Sequence, residues 1–213
     1  MLSTTENKPR VRSVLLNSVL MLTLLIASAS FPTHVLAASE YTMTDLGTLG
    51  GSNSFPYGIN QAGKVVGYSH IAGDAETHAF VWDSGVMTDL GTLGGTYSTP
   101  FAFNNTGKAI NEAGQVIGYS TITGNTSYHA FVWNSGVMAD LTLGGSYSFP
   151  TAINEAGQVV GQSNLEGDTS NHAFLWDSGV MTDLGTLGGS ESYPVAINEA
   201  GQVIGYSTTE GGQ

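Results

Sequence analysis

The chain has 213 residues, no cysteine, and 17 acidic residues against five basic ones, which gives a formal net charge of −12 at pH 7. The absence of cysteine excludes disulfides and thiolate metal sites. The acidic balance argues against binding to nucleic acid or to anionic membranes, because both require cationic contacts.

Residues 1–37 have the pattern of a secretory signal peptide. A basic segment precedes a mostly apolar run over residues 14–27, and Ala37 supplies the small residue that a signal peptidase needs. The basic residues of this segment are Lys8, Arg10 and Arg12. The apolar run is shorter than the ~20 residues of a membrane-spanning helix, so we expect cleavage rather than an uncleaved anchor. The mature protein is then expected to be periplasmic or extracellular, with no stable membrane insertion.

Residues 38–213 are predicted to form a single repeat domain. The block Met-Thr-Asp-Leu-Gly-Thr-Leu-Gly-Gly, or a close variant, begins at Met43, Met87, Met138 and Met181, at spacings of 44, 51 and 43 residues. Self-similarity of this kind is typical of repeat architectures. In the first three units the block is followed, after intervening segments, by His-Ala-Phe-x-Trp, and the last unit is truncated before that point.

Each unit contains short segments rich in Val, Ile, Phe, Tyr, Trp and Thr, bounded by Gly, Asn and Asp, which is typical of strands. No window after the signal has the apolar spacing of a helix. Two hairpin turns are predicted, at Asn-Glu-Ala-Gly-Gln and Trp-Asp-Ser-Gly-Val, each a type I turn followed by a left-handed glycine. About four antiparallel strands in ~44 residues is the size of a propeller blade.

The predicted fold is therefore all-β, with about four short-stranded blades of a small or incomplete β-propeller. A β-trefoil is the alternative, although its three units fit four glycine-rich blocks poorly. The second unit duplicates one strand-plus-turn segment, at residues 100–108 and again at 109–115. Only one copy can occupy the repeat position, so the other must loop out.

Several motifs in each unit resemble a known family. His-Ala-Phe-[Val/Leu]-Trp, Thr-Asp-Leu-Gly-Thr-Leu-Gly-Gly, Ala-Ile-Asn-x-x-Gly and Val-[Val/Ile]-Gly-Tyr-Ser resemble the HAF repeat of bacterial extracellular proteins. The resemblance extends from Met43 to the C-terminus. It implies secretion and a repeat architecture, but neither a particular activity nor catalytic residues.

Three sets of residues that recur once per unit are the candidates for chemistry. The histidines are expected to bond a neighbouring turn, because a catalytic histidine is needed once per site; they are His78, His129 and His172. The tryptophans are expected in packing, with a ligand-stacking platform as the alternative; they are Trp82, Trp133 and Trp176. The aspartates are expected to cap turns, with a ring of Ca²⁺ ligands as the alternative; they are Asp45, Asp89, Asp140 and Asp183.

For function, the sequence favours a secreted, non-catalytic binding or surface module whose ligand is an extracellular glycan or protein. The alternative is an extracellular hydrolase or lyase with its site in a propeller mouth. An enzyme on a repeat scaffold needs a unique acid, base or nucleophile, and the sequence shows almost no unique polar cluster. Apart from possible calcium, no cofactor is predicted. The strand expected at residues 203–207 would have an unpaired edge, which predicts self-association through the last unit.

Overall fold

A computed structural model of the chain describes residues 13–19, 40–102 and 108–211. The described residues contain 16 strands and no helix, so the all-β prediction is confirmed. The strands are β1 (Ser13–Val19), β2 (Glu40–Gly47), β3 (Gly50–Ile59), β4 (Val65–Ile71), β5 (Thr77–Asp83), β6 (Val86–Gly91), β7 (Gly94–Pro100), β8 (Val116–Ile122), β9 (Tyr128–Asn134), β10 (Val137–Leu141), β11 (Gly144–Ile153), β12 (Val159–Leu165), β13 (Asn171–Asp177), β14 (Val180–Asp183), β15 (Gly188–Ile197) and β16 (Val203–Thr209).

The strands form three units of four, followed by two strands of a fourth unit. These units are β3 to β6, β7 to β10 and β11 to β14. Within each unit, every strand pairs antiparallel with the next strand along the chain. Strands β15 and β16 repeat the first of these pairings, with the same register. The predicted four strands per unit therefore agree with the structure.

Successive units are joined into one open sheet. The third strand of each unit makes a single parallel bridge to the first strand of the next unit. The bridging pairs are Thr77 with Tyr97, Tyr128 with Tyr147, and Asn171 with Glu191. The resulting 14-stranded sheet runs from β3 to β16, and no pairing among the described strands joins its two ends. A closed β-propeller is therefore not confirmed, and neither is a three-unit β-trefoil.

The hydrophobic core lies between units rather than within one unit. Val66, Val81 and Leu90 of the first unit pack with Val116 and Phe131 of the second. The equivalent residues of the second and third units form a second cluster, with Ile117 in the place of Val66. The second unit therefore buries one face against the unit before it and the other face against the unit after it, as in stacked repeat proteins.

A ladder of asparagine side chains connects the Asn-x-x-Gly turns of successive units. The Asn60 side-chain amide donates to the carbonyl of Asn111 at 3.0 Å, and Asn111 donates in the same way to Asn154 at 3.1 Å. Asn154 donates to the carbonyl of Asn198 at 3.0 Å. A parallel ladder uses glutamates: the backbone amide of Glu112, for example, donates to the Glu155 carboxylate at 2.7 Å. These bonds fix the spacing of neighbouring units.

The structure contains both predicted hairpin turns, but only one of them has the predicted turn type. At Asn60 the prediction is confirmed, because the amide of Gly63 donates to the Asn60 carbonyl and Gly63 has a φ of 81°. The turn between β5 and β6 differs from the type I prediction, since both Ser84 and Gly85 have positive φ, at 49° and 94°. Two consecutive left-handed residues define a type I′ turn, whose twist matches that of a two-residue hairpin.

The duplicated segment of the second unit uses its second copy in the repeat position. Ile110 forms a bridge with Val116, and the Asn111 amide donates to the carbonyl of Gln115, as Asn60 does to Lys64 in the first unit. Residues 103–107, in the first copy, lie outside the described residues.

Most of the predicted signal peptide, residues 1–12 and 20–37, also lies outside the described residues. Its segment 13–19 forms β1, which pairs with β2 in a separate two-stranded sheet. Signal cleavage stays a prediction, and it would remove β1. Within the described residues, no helix has the length and apolar character needed to cross a bilayer.

Candidate functional site

The three repeated histidines pair with three of the four repeated aspartates. Nδ1 of His78 lies 2.9 Å from the Asp89 carboxylate. The same pair recurs in the next two units, between His129 and Asp140 at 2.8 Å and between His172 and Asp183 at 2.9 Å. Each pair joins the third strand of a unit to residues of its fourth-strand segment, 11 positions later in the chain. The hydrogen bond to Asp140 raises the pKa of His129, because the carboxylate favours the charged imidazole.

The aspartates also cap a turn in the units that keep the following glycine. The amides of Gly47, Gly91 and Gly185 donate to the aspartate two residues earlier, at 2.7–2.9 Å. The second unit lacks this glycine after β10, and there Asp140 still bonds His129. The described residues contain no group of three or more His, Asp or Glu side chains placed to hold a metal ion. Asp89, Asp140 and Asp183 lie in three different units and Asp45 lies on β2, and calcium binding by these four aspartates stays a prediction.

In each complete unit, the loop between the second and third strands accepts a hydrogen bond from the first strand of the same unit. Asp74 accepts a hydrogen bond from the Ser52 amide at 2.7 Å, and Asp168 accepts one from the Ser146 amide at 2.7 Å. In the second unit the neutral Asn125 accepts the same bond from Thr96 at 2.8 Å. The bond from the Ser52 amide lowers the pKa of Asp74, and the bonds from the Ser146 hydroxyl and amide lower the pKa of Asp168. An asparagine serves equally because the bond needs an oxygen acceptor and no charge.

The repeated tryptophans lie against the hydrophobic clusters between units. Trp82 is 8% exposed and packs with Leu46, Val65 and Phe80. Trp133 packs against the cluster between the first and second units, and Trp176 against the next cluster. These contacts give each indole a packing role, and ligand stacking by Trp82, Trp133 and Trp176 stays a prediction.

A groove lined by aromatic rings lies where the second unit meets the third. It has a volume of about 310 Å³ and is lined by Tyr97, Tyr119, Tyr128 and Phe149. Tyr119 is the centre of this aromatic groove, with its ring centroid 5.4 Å from that of Phe149 and 5.8 Å from that of Tyr128. The surrounding rings include Tyr97, Phe101 and Tyr147.

The outer wall of the aromatic groove faces solvent. Tyr128 and Tyr147 stack across the junction with centroids 6.5 Å apart, and they are 38% and 43% exposed. Tyr97 lies deeper, and its burial together with the neighbouring Tyr119 raises its pKa to about 12. Its phenol is therefore protonated and neutral at physiological pH, and it can both donate and accept a hydrogen bond.

Repetition along the sequence does not point to these tyrosines, because they stand at positions that vary between units. At the position of Tyr97 and Tyr147, the first and fourth units have Asn53 and Glu191. At the position of Tyr128, the first and third units have Thr77 and Asn171. In the sequence, these three tyrosines are distinguished by their departure from the repeat. In the structure, the bridges between units bring them together.

Comparison with known proteins identifies no family. No protein-family model matches the chain, and no curated protein matches it. Among solved structures, the chain is similar to a fucose lectin from Kordia zhangzhouensis in complex with methyl-fucoside, at 14% sequence identity and a TM-score of 0.32. The alignment covers 61% of this chain and 96% of the lectin chain.

Proposed function

We propose that this chain is an extracellular, non-catalytic repeat protein that binds a neutral glycan in the aromatic groove between its second and third units. The observation that carries the proposal is the groove's lining, in which Tyr97, Tyr119, Tyr128 and Phe149 enclose one concave site. Aromatic faces pack against the apolar C–H faces of sugar rings, while phenolic hydroxyls bond sugar hydroxyls. Extracellular location rests on the signal-like pattern of residues 1–37.

The lining chemistry supports a neutral ligand in preference to an anionic one. None of the four lining side chains carries a charge at neutral pH, since the three tyrosines are phenols and the fourth residue is phenylalanine. An anionic ligand would need Lys or Arg contacts, which this lining does not supply. A sugar without carboxylate or phosphate groups fits this surface.

The same lining argues against the hydrolase or lyase alternative at this site. Glycoside hydrolysis generally uses a pair of carboxyl groups about 5–10 Å apart across the scissile bond. The side chains that line the aromatic groove include no carboxyl group and no imidazole. The repeated His–Asp pairs are identical in three units, which is the pattern of a structural bond.

The test is a binding screen of the full chain against neutral oligosaccharides, followed by calorimetric titration of the best ligand. Tyr128→Ala and Tyr147→Ala should each weaken binding about tenfold or more, because the first removes an exposed ring of the lining and the second removes the exposed ring that stacks on it. The matched control is Tyr41→Ala, which removes an exposed tyrosine on β2, away from the groove.

Three results would contradict the proposal. One is the absence of binding to any neutral oligosaccharide in the screen. A second is binding that Tyr128→Ala and Tyr147→Ala leave unchanged while both variants melt like the parent chain. The third is turnover of the bound sugar in a parallel hydrolase and lyase assay, which would favour the enzyme alternative.

A further inference from the structure

A pair of aromatic side chains lies in the first unit, outside the aromatic groove. Phe55 of β3 pairs with Tyr68 of β4 in the register of the sheet, and their rings stack with centroids 5.0 Å apart. Both residues are half-buried, so part of each side chain is open to solvent. The first unit therefore offers two neutral rings in addition to those that line the groove.

Tyr97 connects this pair to the aromatic groove. Strands β4 and β7, which carry Tyr68 and Tyr97, are in contact across the junction of the first and second units. Tyr68 lies close enough to Tyr97 to contribute to the raised pKa of Tyr97, after burial and the nearer Tyr119. The ring centroid of Tyr97 in turn lies 6.1 Å from that of Tyr119. The pair in the first unit is therefore continuous with the lining of the groove.

The connected rings form a row that crosses three units. We call it the aromatic row, and its members are Phe55, Tyr68, Tyr97, Tyr119 and Phe149. They belong to β3, β4, β7, β8 and β11, and so to the first, second and third units. The row ends at Phe149, because the cross-strand partner of Phe149 is Gln162 and not an aromatic residue.

The extent of the aromatic row indicates the length of a ligand that would use it. A monosaccharide in the aromatic groove leaves Phe55 and Tyr68 uncovered. A chain of equatorially linked sugars is extended and presents the apolar C–H groups of successive sugars, which can pack on rings in successive units. Several weak contacts made by one ligand add to its affinity, because the later contacts form within a complex that already exists.

We propose that the ligand of the aromatic groove is a linear neutral polysaccharide that runs along the array from Phe149 to Phe55 and packs on the aromatic row in three units. This inference rests on the proposed function, to which it adds the length and the direction of the ligand. Cross-strand aromatic pairs also stabilise a sheet, so the experiment has to measure binding and not stability alone.

The test is calorimetric titration of the full chain with β-1,4-linked gluco-oligosaccharides and β-1,4-linked manno-oligosaccharides, each as a size series from disaccharide to hexasaccharide. Both series have equatorial linkages and extended chains. In a series that binds, the hexasaccharide should bind roughly tenfold or more tightly than the disaccharide, because it reaches Phe55 and Tyr68 as well as the groove.

A pair of chain variants locates the added contacts. A longer chain also has more ways to fill the groove alone, so Phe55→Ala is needed to separate the two causes, and it should remove most of the gain between disaccharide and hexasaccharide. Tyr193→Ala is the matched control, since Tyr193 pairs with Tyr206 as Phe55 pairs with Tyr68 but lies outside the row. It should keep the gain. Circular dichroism melts verify that both variants fold.

Three results would overturn the proposal. The first is equal affinity for disaccharide and hexasaccharide, which would leave glycan binding in the groove intact and limit the ligand to a short one. The second is a gain with length that the folded Phe55→Ala variant keeps. The third is binding of other neutral sugars but of neither series. The absence of binding to any neutral oligosaccharide would contradict the proposed function itself.

Discussion

At the scale of single residues, the repeated histidines and their partner aspartates bond within one unit. Asp89 and Asp183 each accept bonds from a histidine and from a glycine amide. Asp140 keeps the histidine although its unit lacks the glycine. The histidine bond, which survives where the turn bond is lost, is therefore the common role of these carboxylates. The tyrosines that break the repeat, Tyr97, Tyr128 and Tyr147, lie in or beside the aromatic groove, where we propose that a glycan binds.

The bond between His129 and Asp140 predicts a pH-dependent contribution to stability. Because Asp140 raises the pKa of His129, this contribution is complete below the unfolded pKa of ~6.5 and is lost as pH rises through the higher folded pKa. Asp140→Asn should therefore lower the free energy of unfolding more at about pH 5.5 than at about pH 8.5. Urea denaturation at both pH values measures the difference.

The control for this experiment is Glu166→Gln, which removes one negative charge from an exposed loop. It should change stability by the same amount at both pH values, apart from the general effect of net charge. A cost of Asp140→Asn that matches at the two pH values would show that the charged imidazole contributes nothing through this pair.

Trp133 is predicted to act in stability rather than in recognition. It packs against the cluster between the first and second units, so Trp133→Ala should lower the free energy of unfolding by ~3 kcal/mol through the cavity that it leaves. Glycan affinity of the folded variant should stay within a few-fold of the parent. An unchanged melting temperature with lost ligand binding would instead assign Trp133 to a stacking platform.

At the scale of elements, the Asn-x-x-Gly turn serves twice. It closes the hairpin of its own unit, and its asparagine side chain bonds the turn of the next unit. Inside the stack the asparagine is buried, as for Asn111, whereas at the end of the ladder Asn198 is exposed. The contribution of this asparagine to the free energy of unfolding should therefore differ between units.

Asn111→Ala is predicted to cost ~1–3 kcal/mol of unfolding free energy, because it removes a buried hydrogen bond to the Asn154 carbonyl together with the side chain's bonds to Gln115. Asn198→Ala is the matched control. It removes the same turn bonds to Gln202, but its side chain donates within its own turn and is exposed. Chemical denaturation of both variants should give a clearly larger loss for Asn111→Ala; equal losses would mean that the ladder between units adds nothing to stability.

At the scale of the whole molecule, stability comes from neighbouring units, and the fourth unit has a neighbour on one side only among the described residues. In this unit Leu187, Ile204 and Tyr206 are exposed. The residues equivalent to Ile204 in the other units are fully buried; they are Val66, Ile117 and Val160. Because repeat stability sums over unit interfaces, the last unit should open before the others.

Supplying the third and fourth strands covalently should stabilise this end of the array. A chain extended by a loop of native length and a copy of residues 171–184 should melt at a higher temperature than the parent, because the added phenylalanine is expected to pack over Gly205 as Phe80 packs over Gly67. The same extension carrying alanine for that phenylalanine is the control. Differential scanning calorimetry compares the three chains, and equal melting temperatures would mean that the added strand does not pair with β16.

The sequence by itself determined the strand content, the unit length and the Asn-x-x-Gly turn, because alternation, turn residues and repetition are local properties of the chain. It also indicated a structural role for the repeated histidines. It could not determine whether the units close into a ring, since closure depends on the angle between neighbouring units, which many weak contacts set together. Nor could it show that Tyr97, Tyr128 and Tyr147 meet. Those residues are far apart in sequence and stand at positions that vary between units, so only the packing of one unit on the next brings them together.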